Sequence, residues 1–95
     1  MSLTIASQLV HQYFGIQTPQ EPESYEDLLG PLSIRVQYLL ENSLETLMHS
    51  LYRIYVDESK VEVAFRQETP RVISDTLGRI ILDRIIVKVR YRDQF

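Results

Sequence analysis

The apolar periodicity of the last third of the chain constrains the fold more than any other feature. Thr69 followed by Pro70 is a strong helix-start signal, because proline at the first helical position gives up an amide that would lack a partner anyway. Beyond it, one set of apolar residues recurs at every fourth position and a second set widens the stripe. This pattern predicts a long, largely buried helix. The first set is Ile73, Leu77, Ile81, Ile85 and Val89, and the second is Val72, Ile80, Leu82 and Ile86.

The end of this helix has an alternative. Over residues 87–92 apolar and basic side chains alternate, as they would on a half-exposed strand. We predict helix, with a switch to strand over residues 85–92 as the alternative.

Gly78 lies inside the same helical pattern, where glycine costs about 1 kcal/mol relative to alanine. Such a residue has two interpretations, the close approach of another helix or a tolerated defect. Both remain open at the level of the sequence.

The amino-terminal part of the chain predicts a separate element. Apolar residues at helical spacing precede Gly15, which is a stop signal. Residues 17–23 contain two prolines among polar residues and predict an extended linker. We therefore expect an amino-terminal helix over residues 1–16, the linker, and a single helical domain over residues 24–95. The first helix would then be tethered, and free to pack on its own chain or on a second copy.

The segment after the linker combines a start signal with early breakers. Ser24 and Asp27 have the spacing of a capping box, but Gly30 and Pro31 are expected to limit this helix to one or two turns. Residues 32–41 fit both a strand and a helix, and we predict helix.

Two further helices are predicted in the middle of the chain. Asn42 is expected to cap the first of them, with Glu45 reaching back, and apolar residues from 44 to 55 form one stripe. Asp57 is expected to cap the second, which would end near Gln67. The fold class is therefore all-α, a small bundle of four to five helices. We predict four core residues in particular, Leu51, Ile54, Leu77 and Ile81.

The composition excludes several kinds of chemistry. The 95 residues include no cysteine, which excludes disulfides, thiolate zinc sites and a cysteine nucleophile. Three isolated glycines cannot form a phosphate-binding loop. His11 and His49 lie on different predicted helices, and the pairing of His49 with Glu45 is interpreted as a surface contact. We expect no enzymatic activity, no cofactor and no metal.

The expected location is the cytoplasm. The apolar runs are far shorter than the roughly 18 residues that cross a bilayer, so no membrane segment is predicted. The first twelve residues lack the basic and apolar regions of a signal peptide. The absence of cysteine is typical of a reducing compartment.

The charges are divided unevenly along the chain. Residues 1–50 carry a net charge of −5 and residues 51–95 a net charge of +2. The basic carboxy-terminal segment is interpreted as a solvated helix face whose cations meet the acidic first half, and nucleic-acid binding is the alternative. Arg53 and Arg84 flank apolar stretches, so each is expected to need a carboxylate when partly buried. The candidate carboxylates are Glu45, Asp57 and Asp83.

The two apolar stripes of the long helix carry the functional prediction. One stripe suffices for the core of so small a chain, and the second would face water unless the amino-terminal helix or a second copy covers it. We therefore expect a self-associating protein-interaction domain, a homodimer that also accepts an unidentified protein partner, with a nucleic-acid accessory protein as the alternative. The candidate interaction surface comprises Leu82, Arg84, Ile86, Lys88, Arg90 and Arg92.

Two runs of sequence carry a resemblance to known proteins. Residues 51–56, LYRIYV, and the later pattern of Ile80, Ile81, Arg84, Lys88 and Arg92 resemble motifs of a family of small uncharacterised bacterial proteins. The similarity covers roughly residues 40–95. It implies a helical fold and no activity.

Overall fold

Five helices make up the part of the chain that the computed structural model describes, residues 3–93, with side chains described through Tyr91. The all-α prediction is confirmed. In chain order the helices are α1 (Leu3–Phe14), α2 (Tyr25–Asn42), α3 (Leu44–Arg53), α4 (Glu58–Phe65) and α5 (Pro70–Asp93). None of these described helices is both long and apolar enough to cross a membrane.

The last helix, α5, continues to Asp93 without a switch to strand. A strand over residues 85–92 would place Ile85, Val87, Val89 and Tyr91 on one face. Instead Ile85 and Val89, four residues apart, are buried, while Val87 and Tyr91 are exposed. The core thus selects the helical period, and the alternative of strand character is wrong.

Helix α2 is longer than predicted. The capping box is present, since the Asp27 amide donates to the Ser24 hydroxyl at 3.3 Å and the Asp27 carboxylate accepts from the Ser24 amide at 3.2 Å. The helix then continues through Gly30 and Pro31 to Asn42, so the predicted break is wrong. A proline inside a helix costs about 3 kcal/mol. Burial of three leucines contributes about 1.5–3 kcal/mol each and offsets that cost; they are Leu28, Leu29 and Leu32.

The other predicted helix starts are confirmed except one. The Val72 amide donates to the Thr69 hydroxyl at 3.2 Å, and the Ser59 amide donates to the Asp57 carboxylate at 2.9 Å. The cap predicted at Asn42 is wrong, because Asn42 is the last residue of α2 and its side-chain amide donates to the Tyr38 carbonyl at 2.9 Å. Ser43 takes the cap position of α3.

Helix α5 lies at the centre of the bundle and packs against α1, α2 and α4. All four predicted core residues, Leu51, Ile54, Leu77 and Ile81, are buried. Gly78 lies at a close approach to α2, because a Cβ at this position would lie 2.8 Å from the Ser33 Oγ. The interpretation of Gly78 as a site of close helix approach is therefore confirmed.

The amino-terminal helix packs on its own chain. It buries Ala6, Val10 and Phe14 against the core. The linker that follows is held to it, because the Ser7 hydroxyl donates to the Pro19 carbonyl at 2.7 Å and contacts the Thr18 hydroxyl. Of the two arrangements expected for α1, the structure contains the intramolecular one.

Candidate interaction surfaces

Two residues of the predicted interaction surface belong to the core. Leu82 is 0% exposed and Ile86 is 8% exposed. Both are buried within one chain, whereas Val72 of the same apolar stripe is 44% exposed. The prediction that Leu82 and Ile86 line an exposed surface is therefore wrong.

Two other predicted residues, Arg84 and Lys88, lie in an open groove of about 550 Å³ beside the carboxy-terminal half of α5. Helix α1 forms one wall of this groove, and the connection between α3 and α4 contributes Tyr55. We name it the tyrosine groove. Its lining residues are Leu9, Tyr13, Tyr55, Arg84, Val87, Lys88 and Tyr91.

The cations around the tyrosine groove are held by carbonyl oxygens and aromatic rings. The Arg84 Nε donates to the Ile54 carbonyl at 2.9 Å, where the end of α3 leaves an acceptor without a helical partner. The Lys88 Nζ lies 5.4 Å from the centre of the Tyr55 ring, and the Arg53 guanidinium lies 5.2 Å from that of Tyr13. The carboxylate partner predicted for a partly buried Arg84 is thus wrong within the described residues, and Arg53 is exposed, so the condition for its predicted partner is not met.

Tyr55 has an unusual backbone conformation. Its φ of 59° lies in the left-handed region, which costs a residue other than glycine roughly 1–2 kcal/mol. The turn ends α3 at Arg53 and leaves the Tyr55 ring 76% exposed beside Lys88. The sequence placed Tyr55 on the apolar stripe of α3, which is wrong. No glycine or asparagine marks this turn, so the sequence carried no signal for it.

The remaining predicted residues lie on the last turns of α5. Arg90 is exposed, one helical turn beyond Val87. The side chain of Arg92 lies outside the described residues. The structure therefore brings Arg84 and Lys88 together in the tyrosine groove, places Arg90 on the nearby surface, and removes Leu82 and Ile86 to the core.

A second surface, which sequence reasoning missed, lies between α2 and the first turns of α5. Its groove of about 470 Å³ has the buried Leu29 and Ser74 in its lining. Ile34 and Val72 border it and are 72% and 44% exposed. We name this surface the α2–α5 face and define it by Glu26, Leu29, Ile34, Arg71, Val72, Ser74 and Asp75. The sequence did not identify Ile34 as a surface residue, because the alternating pattern of residues 32–41 fits both a strand and a helix and so does not fix which side chains are exposed.

The charges of the α2–α5 face balance. Arg79 pairs with Asp75 at 3.2 Å and with Glu26 at 3.9 Å. The hydrogen bond to Asp75 and the charge of that carboxylate raise the pKa of Arg79. Arg71 makes no ion pair with any residue in the described range. With Arg79 at its border, the face therefore has two acids, Glu26 and Asp75, and two bases, Arg71 and Arg79.

The Tyr25 hydroxyl, which lies 3.4 Å from the Arg79 carbonyl oxygen, links α2 to α5 between the two surfaces. The Tyr25 hydroxyl donates to the Asp83 carboxylate at 2.8 Å. Burial, followed by the hydrogen bond to Asp83 and the charge of that carboxylate, raises the pKa of Tyr25 well above its usual range. The positive charge of Arg79 has the opposite effect and lowers the pKa of Tyr25.

The described residues contain no group of three or more histidine, aspartate or glutamate side chains that could hold a metal ion. The His11 imidazole instead contacts the Ile16 carbonyl at 2.7 Å through Nδ1. No known protein family, curated protein or solved structure matches the chain. The resemblance to small bacterial helical proteins stays a prediction.

Proposed function

We propose that this chain is a non-enzymatic protein-interaction domain of the cytoplasm, and that it self-associates through the α2–α5 face. The exposure of Ile34 carries the proposal. At 72% exposed, its aliphatic side chain lies in water next to the half-exposed Val72. Exposed apolar area costs about 25 cal/mol for each Å², and an interface would recover that free energy.

The charges of the α2–α5 face support a second copy as the occupant. A two-fold axis places the same surface on both partners, so the surface must be complementary to itself. Arg71, which has no ion-pair partner among the described residues, could then lie opposite Glu26 or Asp75 of the other copy. A surface with two acids and two bases permits this pairing without net repulsion.

The tyrosine groove is a poor surface for symmetric self-association. Its described lining contains Arg84 and Lys88 and no carboxylate. A two-fold axis would bring these cations close to their copies, and like charges across an interface are unfavourable. The sequence predicted a dimer interface on residues 82–92 of α5. We propose it instead on the α2–α5 face, near the start of that helix.

Sedimentation equilibrium over a micromolar concentration range tests this proposal. We expect the wild-type chain to dimerise and Ile34→Glu to weaken dimerisation by at least about tenfold, because a carboxylate replaces a central apolar contact. Val63→Glu is the matched control, since Val63 is a 54% exposed aliphatic residue on α4. A monomeric mass for the wild type throughout the range would contradict self-association. Equal dimerisation of both variants would exclude this face.

A further inference from the structure

The tyrosine groove combines an apolar lining with positive charge. Leu9 and Val87 supply aliphatic surface, and Tyr55 supplies an exposed ring. Arg84 and Lys88 lie among them, and the described lining includes no carboxylate. The groove therefore offers cations whose charge the described lining residues do not neutralise.

Two acids, Asp57 and Asp83, line an adjoining cavity that also includes Arg84, and neither forms an ion pair with Arg84 or Lys88. Asp83 accepts the Tyr25 hydroxyl. Asp57 accepts the Ser59 amide and hydroxyl at the start of α4. These hydrogen bonds orient both carboxylates toward other elements, which leaves the Arg84 Nη groups and the Lys88 ammonium for an external anion.

We propose that the tyrosine groove binds an acidic segment of a partner protein, in which carboxylate side chains flank an apolar one. The apolar side chain would pack on Leu9 and Val87, and the carboxylates would pair with Arg84 and Lys88. Charge complementarity of this kind sets the specificity and the association rate of an interface. The inference extends the proposed protein-interaction role and does not depend on self-association.

Two contacts hold the cations in place before a partner arrives. The Arg84 Nε is fixed on the Ile54 carbonyl, and the Lys88 ammonium lies over the Tyr55 ring. Side chains that are already ordered lose less conformational entropy on binding. The left-handed turn at Tyr55 is the feature that brings this ring beside Lys88. Strained backbone of this kind is found preferentially at binding sites.

An acidic peptide fits the groove better than a nucleic acid does. Single-stranded nucleic acids bind by stacking bases on aromatic faces, but Lys88 and Arg53 already lie over the rings of Tyr55 and Tyr13. The chain also has a net charge of −3, which repels a long polyanion while the local field of the groove attracts a short acidic segment.

Fluorescence anisotropy on the full chain tests the proposal. The probe is a short fluorescein-labelled peptide in which glutamates flank a leucine and a phenylalanine, and the control peptide has glutamine at each glutamate. We expect the acidic peptide to bind saturably and the glutamine control peptide not to bind. Lys88→Glu should weaken that binding by at least about tenfold, and raised salt should weaken it too. Ile34→Glu should leave the affinity unchanged, which separates this result from failure of the dimer.

A second variant distinguishes binding from folding. Tyr55→Asn removes the ring but suits a left-handed turn, so the melting temperature should not fall while the peptide affinity does. Equal affinity of the wild type, Lys88→Glu and Tyr55→Asn for the acidic peptide would overturn the proposal. Tighter binding of a fluorescein-labelled oligothymidylate than of the peptide would overturn it in favour of nucleic acid. Loss of self-association in Lys88→Glu would assign the groove to an acidic segment of a second copy instead.

Discussion

The α2–α5 face and the tyrosine groove lie along the same helix and differ in charge and in the kind of apolar surface. The face exposes aliphatic Ile34 and Val72 among balanced charges. The groove exposes the Tyr55 ring beside Lys88 and Arg84, with no carboxylate in its described lining. The comparison teaches that charge pattern limits what can lie opposite an apolar surface. A balanced surface tolerates its own copy, whereas a cationic one requires an acidic partner.

The difference arises from which segments pack beside α5. The first turns of α5 meet α2, whose start supplies Glu26 from the acid-rich half of the chain. The last turns meet α1, which contains no acidic residue, and the turn after α3. The expectation that basic residues of α5 meet the acidic half is thus confirmed for Arg79 and wrong for Arg84 and Lys88, within the described residues.

The largest predicted effect separates core from surface at two consecutive residues of α5. Ile86→Ala should reduce the free energy of unfolding by about 2–5 kcal/mol, because it leaves a cavity in the hydrophobic core. Val87→Ala should change it by less than about 0.5 kcal/mol, because Val87 is half exposed in the groove. Urea unfolding followed by circular dichroism measures both. Should Ile86→Ala leave stability unaltered and lower only the dimer fraction, Ile86 would be an interface residue, as its sequence pattern had predicted.

The fold was largely predictable because its signals are local. Thr69 and Pro70 mark the start of α5, Ser24 and Asp27 mark the start of α2, and both cap hydrogen bonds are present. The extension of α2 through Pro31 was not predictable, because burial against other helices outweighs a local penalty. Tertiary packing, which no window of sequence contains, decided that element.

The candidate surfaces were predictable only in part. Arg84 and Lys88 were identified from the basic pattern of the carboxy-terminal segment, and both line the tyrosine groove. Leu82 and Ile86 were misplaced because the pattern of a single helix cannot show which of its apolar residues the rest of the chain buries. Tyr55 and Ile34 were missed as surface residues, since their exposure depends on a left-handed turn and on the packing of α2.

An intermediate effect tests the helix crossing beneath the α2–α5 face. Gly78→Ala would gain about 1 kcal/mol of helix propensity but would place a Cβ 2.8 Å from the Ser33 Oγ, an overpacking that costs about 1–3 kcal/mol. We expect a net loss of stability of up to about 2 kcal/mol. In a Ser33→Ala background the 2.8 Å contact is absent and only the Leu29 Cδ1 at 3.2 Å remains close, so the same substitution should lower stability less than it does in the wild-type background.

The Ser33→Ala variant is itself the control for this cycle. The Ser33 hydroxyl is buried without a hydrogen-bond partner in the described structure, so its removal should not lower stability. Chemical unfolding of the wild type, Gly78→Ala, Ser33→Ala and the double variant yields the coupling energy between the two positions. Additive effects of the two substitutions would show that α2 and α5 do not meet closely at Gly78.

The smallest predicted effect concerns Tyr25, whose hydroxyl joins α2 to Asp83 between the two surfaces. Its pKa is raised in the folded state, mainly by burial and by the hydrogen bond to Asp83. The unfolded chain therefore loses the Tyr25 proton first, near pH 10, and the stability that this hydrogen bond contributes is complete below that pH. As the pH rises above about 10, that contribution is lost.

Tyr25→Phe removes both the hydrogen bond and its pH dependence. At pH 8 the variant should be less stable than the wild type by about 1 kcal/mol, which is below the range of about 1.5–3 kcal/mol for a hydrogen bond to a charged group, because the site is only partly buried. Between pH 9 and about 11 the difference between the two proteins should shrink, because loss of the Tyr25 proton from the unfolded chain removes the contribution of its hydrogen bond. Urea titrations at each pH measure the difference. If the difference in the free energy of unfolding stays constant or increases with pH, the Tyr25 proton is not held more tightly in the folded chain. The hydrogen bond to Asp83 would then not join α2 to α5 between the two surfaces.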